Sequence, residues 1–135
     1  MICLDTNAVI AAMKGEPAPL MDRFRRALTQ DELALSAIVL FELHYGVANS
    51  ARPVENAERL AIFLQAPMTI LSFEPEDSEE AGAIRAELKR AGTPIGPYDA
   101  LIAAQARRRE ALLVTANAGE FARVPGLRTQ DWAAA

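Results

Sequence analysis

Short apolar segments alternate with helical segments along most of this 135-residue chain. We predict strands at residues 2–4, 33–36, 68–73 and 112–115. Between them, apolar residues recur three and four positions apart, which is the spacing of one helix face. Strands that alternate with helices favour parallel pairing through helical crossovers. The sequence therefore predicts an α/β fold with a mostly parallel sheet.

Prolines and glycines indicate where the helices begin and end. Proline is tolerated in the first turn of a helix, so Pro19, Pro53 and Pro75 are each predicted to begin one. The helix from Pro75 has acids early and bases late, as the helix dipole favours, and Gly92 ends it. Further helices are predicted at 8–13, around 40–47 and at 98–108. After residue 115 we predict no regular element, only apolar anchors that dock the tail: Phe121, Val124, Leu127 and Trp132.

The composition is that of an ordinary globular protein, with 51% hydrophobic and 24% charged residues. We expect residues 1–135 to form one domain. Cys3 is the only cysteine and His44 the only histidine, which excludes both an internal disulfide and a zinc site built from such ligands. No targeting sequence or membrane span is recognisable, so we expect a cytoplasmic protein.

The formal net charge of −4 argues against a large basic surface for nucleic acid. The basic residues are nevertheless clustered, at 23–26, 85–90 and 107–109. Each cluster is first interpreted as a solvated helix face. A local basic patch still attracts phosphate when the total charge is negative.

Four acids stand apart from the solvated charge runs: Asp5, Glu42, Asp99 and Glu120. Each lies near the carboxyl end of a predicted strand or on a helix packed against it. Ligands of open α/β sheets bind in the crevice outside those ends. Several carboxylates in one crevice repel one another, and a divalent cation removes that repulsion.

Each acid also has a purely structural interpretation. Asp5 or Thr6 could cap the following helix, and Asp99 in a first turn is favoured by the helix dipole. Glu120 in a polar loop is ordinary surface when taken alone. Glu42 lies in an apolar helix without a lysine or arginine to pair with, which favours a functional role.

Several motifs occur in a fixed order along the chain. They are Leu4-Asp5-Thr6-Asn7, Phe41-Glu42-Leu43 followed by Tyr45-Gly46, residues 95–104, residues 113–117, Glu120-Phe121, residues 124–127 and Asp131-Trp132. With these motifs the chain resembles PIN-domain proteins of the VapC toxin class, from type II toxin–antitoxin modules. The resemblance covers essentially the whole sequence.

The resemblance implies a three-layer α/β/α PIN-like fold, with the parallel sheet flanked by helices. It also implies a Mg²⁺- or Mn²⁺-dependent endoribonuclease that hydrolyses phosphodiester bonds of RNA, tRNA among the candidates. The expected partners are a VapB-like antitoxin that holds the enzyme inactive and a second copy of the chain in a homodimer, without membrane association.

The resemblance transfers to individual residues. Asp5, Glu42 and Asp99 match the three principal acids of the family, as catalytic residues and metal ligands. A fourth position is often aspartate where this chain has Asn117, and Glu120, three residues later, supplies the charge instead. The residues predicted to support the site are Thr6, Asn7, Thr115 and Asn117. Those predicted to contact the RNA backbone are Arg85, Arg107 and Arg108.

Other functions fit the residues less well. A phospho-accepting receiver domain needs an acid pair after the first strand, where this chain has Asp5-Thr6, and a dehalogenase-like phosphatase needs an acid where Asn7 stands. The remaining alternative is a catalytically weak or inactive PIN-like binding module that acts through protein association. The missing fourth aspartate and the isoelectric point of about 5.0 favour it.

Overall fold

Five parallel strands form one sheet at the centre of the protein. A computed structural model describes residues 1–134. The strands are β1 (Ile2–Leu4), β2 (Leu33–Ser36), β3 (Thr69–Leu71), β4 (Leu112–Val114) and β5 (Arg128–Gln130), in the order β3-β2-β1-β4-β5. Every pairing is parallel, which confirms the predicted α/β fold.

Seven helices connect and cover the strands. They are α1 (Thr6–Lys14), α2 (Ala18–Gln30), α3 (Ala37–Ala48), α4 (Pro53–Phe63), α5 (Pro75–Arg90), α6 (Pro97–Arg108) and α7 (Ala118–Phe121). Proline stands in the first turn of α2, α4, α5 and α6, where its missing N–H removes no helical hydrogen bond. None of the helices between residues 1 and 134 has the length and apolar composition that crossing a membrane requires.

The core lies between the sheet and the helices. All four residues of β2 are buried, as expected of a parallel strand covered on both faces. The buried face of α6 carries small residues, among them Ala100, Ala103, Ala104 and Ala106, so its backbone packs closely against its neighbours. Its most extensive helical neighbour is α5. Position and orientation of α6 are therefore fixed along its whole length.

The tail contains two elements that the sequence did not predict, α7 and β5. Phe121, Val124 and Trp132 are buried, so the predicted anchors do dock this segment, and Leu127 packs against them at the edge of the core. The segment between them forms β5 beside β4. Residues 128–130 read Arg-Thr-Gln and are half or fully exposed, so this edge strand lacks the apolar pattern that identifies a buried one.

A buried ion-pair cluster joins the start of α5 to the end of α6. The Asp77 carboxylate is fully buried and accepts hydrogen bonds from Arg108 Nε (2.7 Å) and Arg109 Nη1 (2.9 Å). Its second oxygen accepts one from the Glu74 backbone N–H at 2.8 Å, which caps α5. Arg107 pairs with Glu80 beside it. The two helices are thus linked by charge at this end of the molecule.

We predict that Asp77→Asn lowers the free energy of unfolding by about 2–3 kcal/mol, because it leaves two partly buried arginines without their counter-charge. Burial raises the pKa of Asp77, but the two arginines outweigh it and hold the pKa at about 2. This folded-state value is below the ordinary 3.8, so the ionised group stabilises the fold above pH 3.8. That contribution disappears as the pH falls towards 2. Chemical denaturation at several pH values measures it.

The matched control is Glu79→Gln, which neutralises an exposed acid on the same helix. It should change the unfolding free energy by less than about 0.5 kcal/mol. Equal effects of the two substitutions would contradict the assigned role of Asp77.

Candidate active site

Four elements bring their ends together at the carboxyl edge of the sheet. Because Leu4 of β1 pairs with Val114 of β4, the next residues, Asp5 and Thr115, leave the sheet side by side. Helix α3 begins directly after β2, capped by the Ser36 hydroxyl, which accepts the Ile38 N–H at 2.9 Å. Helix α6 begins at the same edge and carries an acid in its first turn.

Asp5 caps α1 and belongs to the acid cluster as well. Its Oδ1 accepts the Ala8 N–H at 2.8 Å, so the capping interpretation is correct, and the carboxylate keeps a second oxygen. The side chain is only 6% exposed. Burial raises its pKa, hydrogen bonds from Thr115 and Ala8 oppose the shift, and the charge of Glu42 adds to it.

Glu42 lies half-buried on α3 and is oriented by a residue of α1. The Thr6 hydroxyl donates a hydrogen bond to Glu42 Oε1 at 2.9 Å. Thr6 is the first residue of α1, directly after Asp5. The motif at residues 4–7 therefore supplies one acid and positions the carboxylate of another. Asn7 is exposed next to them.

Asp99 and Glu120 form the other half of the cluster. Burial, the charge of Glu120 and a hydrogen bond shared with it, and then the charges of Glu42 and Asp5, raise the pKa of Asp99 to about 7. The Gly96 N–H donates to Glu120 Oε1 at 2.9 Å, and this bond lowers the pKa of Glu120. Of this pair, Asp99 is therefore the acid that is protonated more readily, and Glu120 the one that is ionised more readily.

Gly96 allows these two acids to approach the same turn. A Cβ atom at this position would lie 3.2 Å from Asp99 Oδ2 and 3.9 Å from Glu120 Oε1. The absence of a side chain leaves that space to the carboxylates. Gly96 was not recognisable as part of the site, because a glycine in a turn-rich loop carries no sign of what will pack against it.

Asn117 supports the fourth acid. Its Nδ2 donates a hydrogen bond to Glu120 Oε2, and its backbone N–H donates to Thr115 Oγ1 at 2.9 Å. Glu120 is thus held from both oxygens, by Gly96 and by Asn117. Thr115, buried at the end of β4, connects this group to Asp5.

A fifth acid, Asp131, also lies near Asp5 and contributes to raising its pKa. It follows β5 in the way that Asp5 follows β1. In the sequence, Asp131 stands out only as part of a motif. Since β5 itself was not predicted, the position of Asp131 at the end of a strand was not recognisable.

Two of the three arginines predicted to contact RNA lie away from this cluster. Arg107 and Arg108 are in the last turn of α6, about 13 Å along the helix from Asp99, and pair with Glu80 and Asp77. Arg85 is exposed on α5 and lines a shallow pocket with Pro97 at the start of α6. Of the three, Arg85 is the one on the side of the acids.

The donor set is that of a hard cation. Carboxylate oxygens are the preferred ligands of Mg²⁺ and Mn²⁺. The neighbouring acids repel the carboxylate of Asp99 and so contribute to its raised pKa, and a bound cation would relieve that repulsion. Among residues 1–134, Asp5, Glu42 and Asp99 have no lysine or arginine within ion-pair distance. Within the same range, no three His, Cys, Asp or Glu side chains are already arranged to hold a metal ion. The residues fit a cation chemically, and their side chains must rotate to share one.

Comparison with known proteins identifies relatives along nearly the whole chain. The family model of the PIN domain matches residues 2–127. The tRNA(fMet)-specific endonuclease VapC of Shigella flexneri is 41% identical over 129 residues, 96% of each chain. Its namesake in Salmonella typhimurium is 40% identical over the same length.

Solved structures that superpose on this chain come from the same class of proteins as these relatives. VapBC2 from Rickettsia felis, bound to a DNA fragment from its promoter, superposes with a TM-score of 0.90 at 36% identity, over 98% of this chain and 99% of that one. DNA-bound VapBC from Salmonella typhimurium gives a TM-score of 0.89 at 38% identity, over 97% of both chains. The chain belongs to the PIN-domain family, among the VapC ribonucleases.

Proposed function

We propose that this chain is an endoribonuclease toxin that hydrolyses RNA phosphodiester bonds with the help of Mg²⁺ or Mn²⁺. The observation that carries the proposal is the group of carboxylates at one sheet edge. Their charges add to the effect of burial and raise the pKa of Asp99 to about 7. Relatives with up to 41% identity over nearly the full chain are named ribonucleases or tRNA endonucleases. The site and its relatives support the same reaction.

Asp5, Glu42, Asp99 and Glu120 would hold the cation. When bound, it supplies charge neutralisation at the attacked phosphate and lowers the pKa of a coordinated water. Because the pKa of Asp99 is raised, protons would compete with a cation for this carboxylate, so metal binding would be weaker at low pH.

The remaining residues of the site act by positioning. The Thr6 hydroxyl fixes Glu42, and the Gly96 N–H and the Asn117 amide fix the two oxygens of Glu120. The cap on α1 fixes Asp5. These contacts hold Asp5, Glu42 and Glu120 near one another at helix and strand ends, so that only their side chains would have to rotate to share a cation.

We infer that the substrate is tRNA and that a VapB-like antitoxin inhibits the enzyme. Two of the curated relatives are tRNA(fMet)-specific endonucleases, and the superposed structures are VapBC complexes. The homodimer that the resemblance implied stays a prediction, which light scattering of the purified chain tests.

Asp5→Asn should reduce cleavage of tRNA by at least about 100-fold, because it removes one charged ligand from the metal site. EDTA should abolish cleavage by the unaltered chain, and Mn²⁺ or Mg²⁺ should restore it. Electrophoresis of end-labelled tRNA provides the measurement. Asp31→Asn, which neutralises an exposed aspartate at the end of α2, is the control and should leave the rate unchanged.

Full cleavage by Asp5→Asn, or in the presence of EDTA, would contradict the metal–carboxylate mechanism. Calorimetric titration with Mn²⁺ distinguishes a metal-dependent nuclease from the alternative, a PIN-like binding module. A module of that kind takes up no metal through these carboxylates and cuts no RNA.

Asp99→Asn should raise the free energy of unfolding without divalent metal, by about 1–2 kcal/mol at neutral pH after solvent screening is allowed for. The folded-state pKa of Asp99 is about 7, above the ordinary 3.8, so its ionised form destabilises the fold. The gain should be full above pH 7 and disappear as the pH falls towards 3.8. Urea unfolding across this range measures it.

Mg²⁺ should reduce or reverse the advantage of Asp99→Asn, since the cation stabilises only the complete set of acids. Asp31→Asn should show neither effect. An Asp99→Asn variant that is less stable than the unaltered chain without metal would refute the electrostatic description of the site.

A further inference from the structure

Three of the eight aromatic residues of the chain are largely exposed, and all three lie on the two helices that carry Glu42 and Asp99. Phe41 is 50% exposed, Tyr45 62% and Tyr98 48%. The other five are buried or packed against the core: Phe24, Phe63, Phe73, Phe121 and Trp132. Exposure of large rings is thus confined to the surroundings of the site.

Two of these rings touch each other at the rim of the acid cluster. The ring centroids of Phe41 and Tyr98 are 5.5 Å apart, with 59° between the ring planes. Phe41 directly precedes Glu42, and Tyr98 directly precedes Asp99. Tyr45 follows Phe41 by one helical turn on the same face of α3. In a stacked pair each ring covers one face of the other. A tilted pair does not do this and leaves more of the ring faces open.

The charges at the site do little to attract RNA before a cation binds. The acids repel phosphate until metal binds, and the chain carries a net charge of −4. The arginines at the end of α6 are engaged with Asp77 and Glu80. Stacking of a base on an aromatic ring adds affinity without positive charge.

We propose that Phe41 and Tyr98 form a platform on which an unpaired nucleobase stacks beside the phosphodiester that is cut. The inference rests on the proposed function and deepens it by naming the residues that position an unpaired base of the RNA beside the acids. The rings act as positioning residues. They hold the base, and the acids act on the neighbouring backbone.

A double-mutant cycle between protein and RNA tests the platform. All chains carry Asp5→Asn so that the probe is not cut. The probe is a short fluorescein-labelled single-stranded RNA, intact or with one base removed at each position in turn, and its affinity is measured by anisotropy in Mg²⁺. Phe41→Leu and Tyr98→Leu should each weaken binding of intact RNA by about 5- to 100-fold, the range of one stacked base.

At one position, removal of the base should weaken binding to the parent chain by a similar factor and have little further effect in the two leucine variants. Tyr98→Phe, which keeps the ring, should bind like the parent. The matched control is Ile62→Ala, which removes exposed apolar surface from α4 and should leave the affinity unchanged. In chains with Asp5 intact, Phe41→Leu should raise KM with kcat little changed.

Base removal that weakens binding to parent and variants equally would overturn the platform. So would leucine variants that bind RNA normally and instead dissociate a dimer in light scattering, since the rings would then be a contact between two copies of the chain. The failure of the proposed function looks different. In that case the unaltered chain cuts no RNA in Mg²⁺, whereas failure of the platform alone leaves cleavage intact.

Discussion

The parallel register of the central strands places the chemistry of this protein. Pairing of β1 with both β2 and β4 makes the strands end together, and the chain leaves that edge at Asp5, at Thr115 and at the start of α3. A slip of one residue in β1 would turn the side chains of Cys3 and Leu4 to the opposite faces of the sheet. The buried positions on both faces of the sheet therefore fix where the acids converge.

Two aspartates show how the surroundings separate a structural acid from a functional one. Asp77 and Asp99 each stand two residues after the proline that begins a helix, and those helices, α5 and α6, pack against each other. Burial raises the pKa of both acids. At Asp77 two arginines outweigh it and hold the pKa at about 2, whereas at Asp99 the neighbouring acids add to it and the pKa is about 7.

Much of this arrangement was predictable from local pattern. The strands at 2–4 and 33–36 have the predicted bounds, while the third and fourth are shorter than predicted, at Thr69–Leu71 and Leu112–Val114. Helices α4 and α5 begin at the predicted prolines, Pro53 and Pro75, and α2 begins one residue before Pro19. The edge strand β5 was missed since it buries almost nothing. Asp77 was hidden in a run of acids that reads as solvated surface, because its arginine partners are about 30 residues away.

The acids of the candidate site were predictable from the sequence, because predicted strand ends and family motifs indicate their positions. The distances between the carboxylates were not predictable. An example is the close approach of Asp99 and Glu120 at Gly96. Those distances depend on α6, whose far end is held to α5 by the arginines. The repulsion among the acids at one end of α6 is thus sustained by charge pairing at the other end. A lysine or arginine among these acids would relieve the repulsion directly but would occupy the place proposed for the cation. The stabilising ion pairs lie instead at the opposite end of α6, at a distance from the acids.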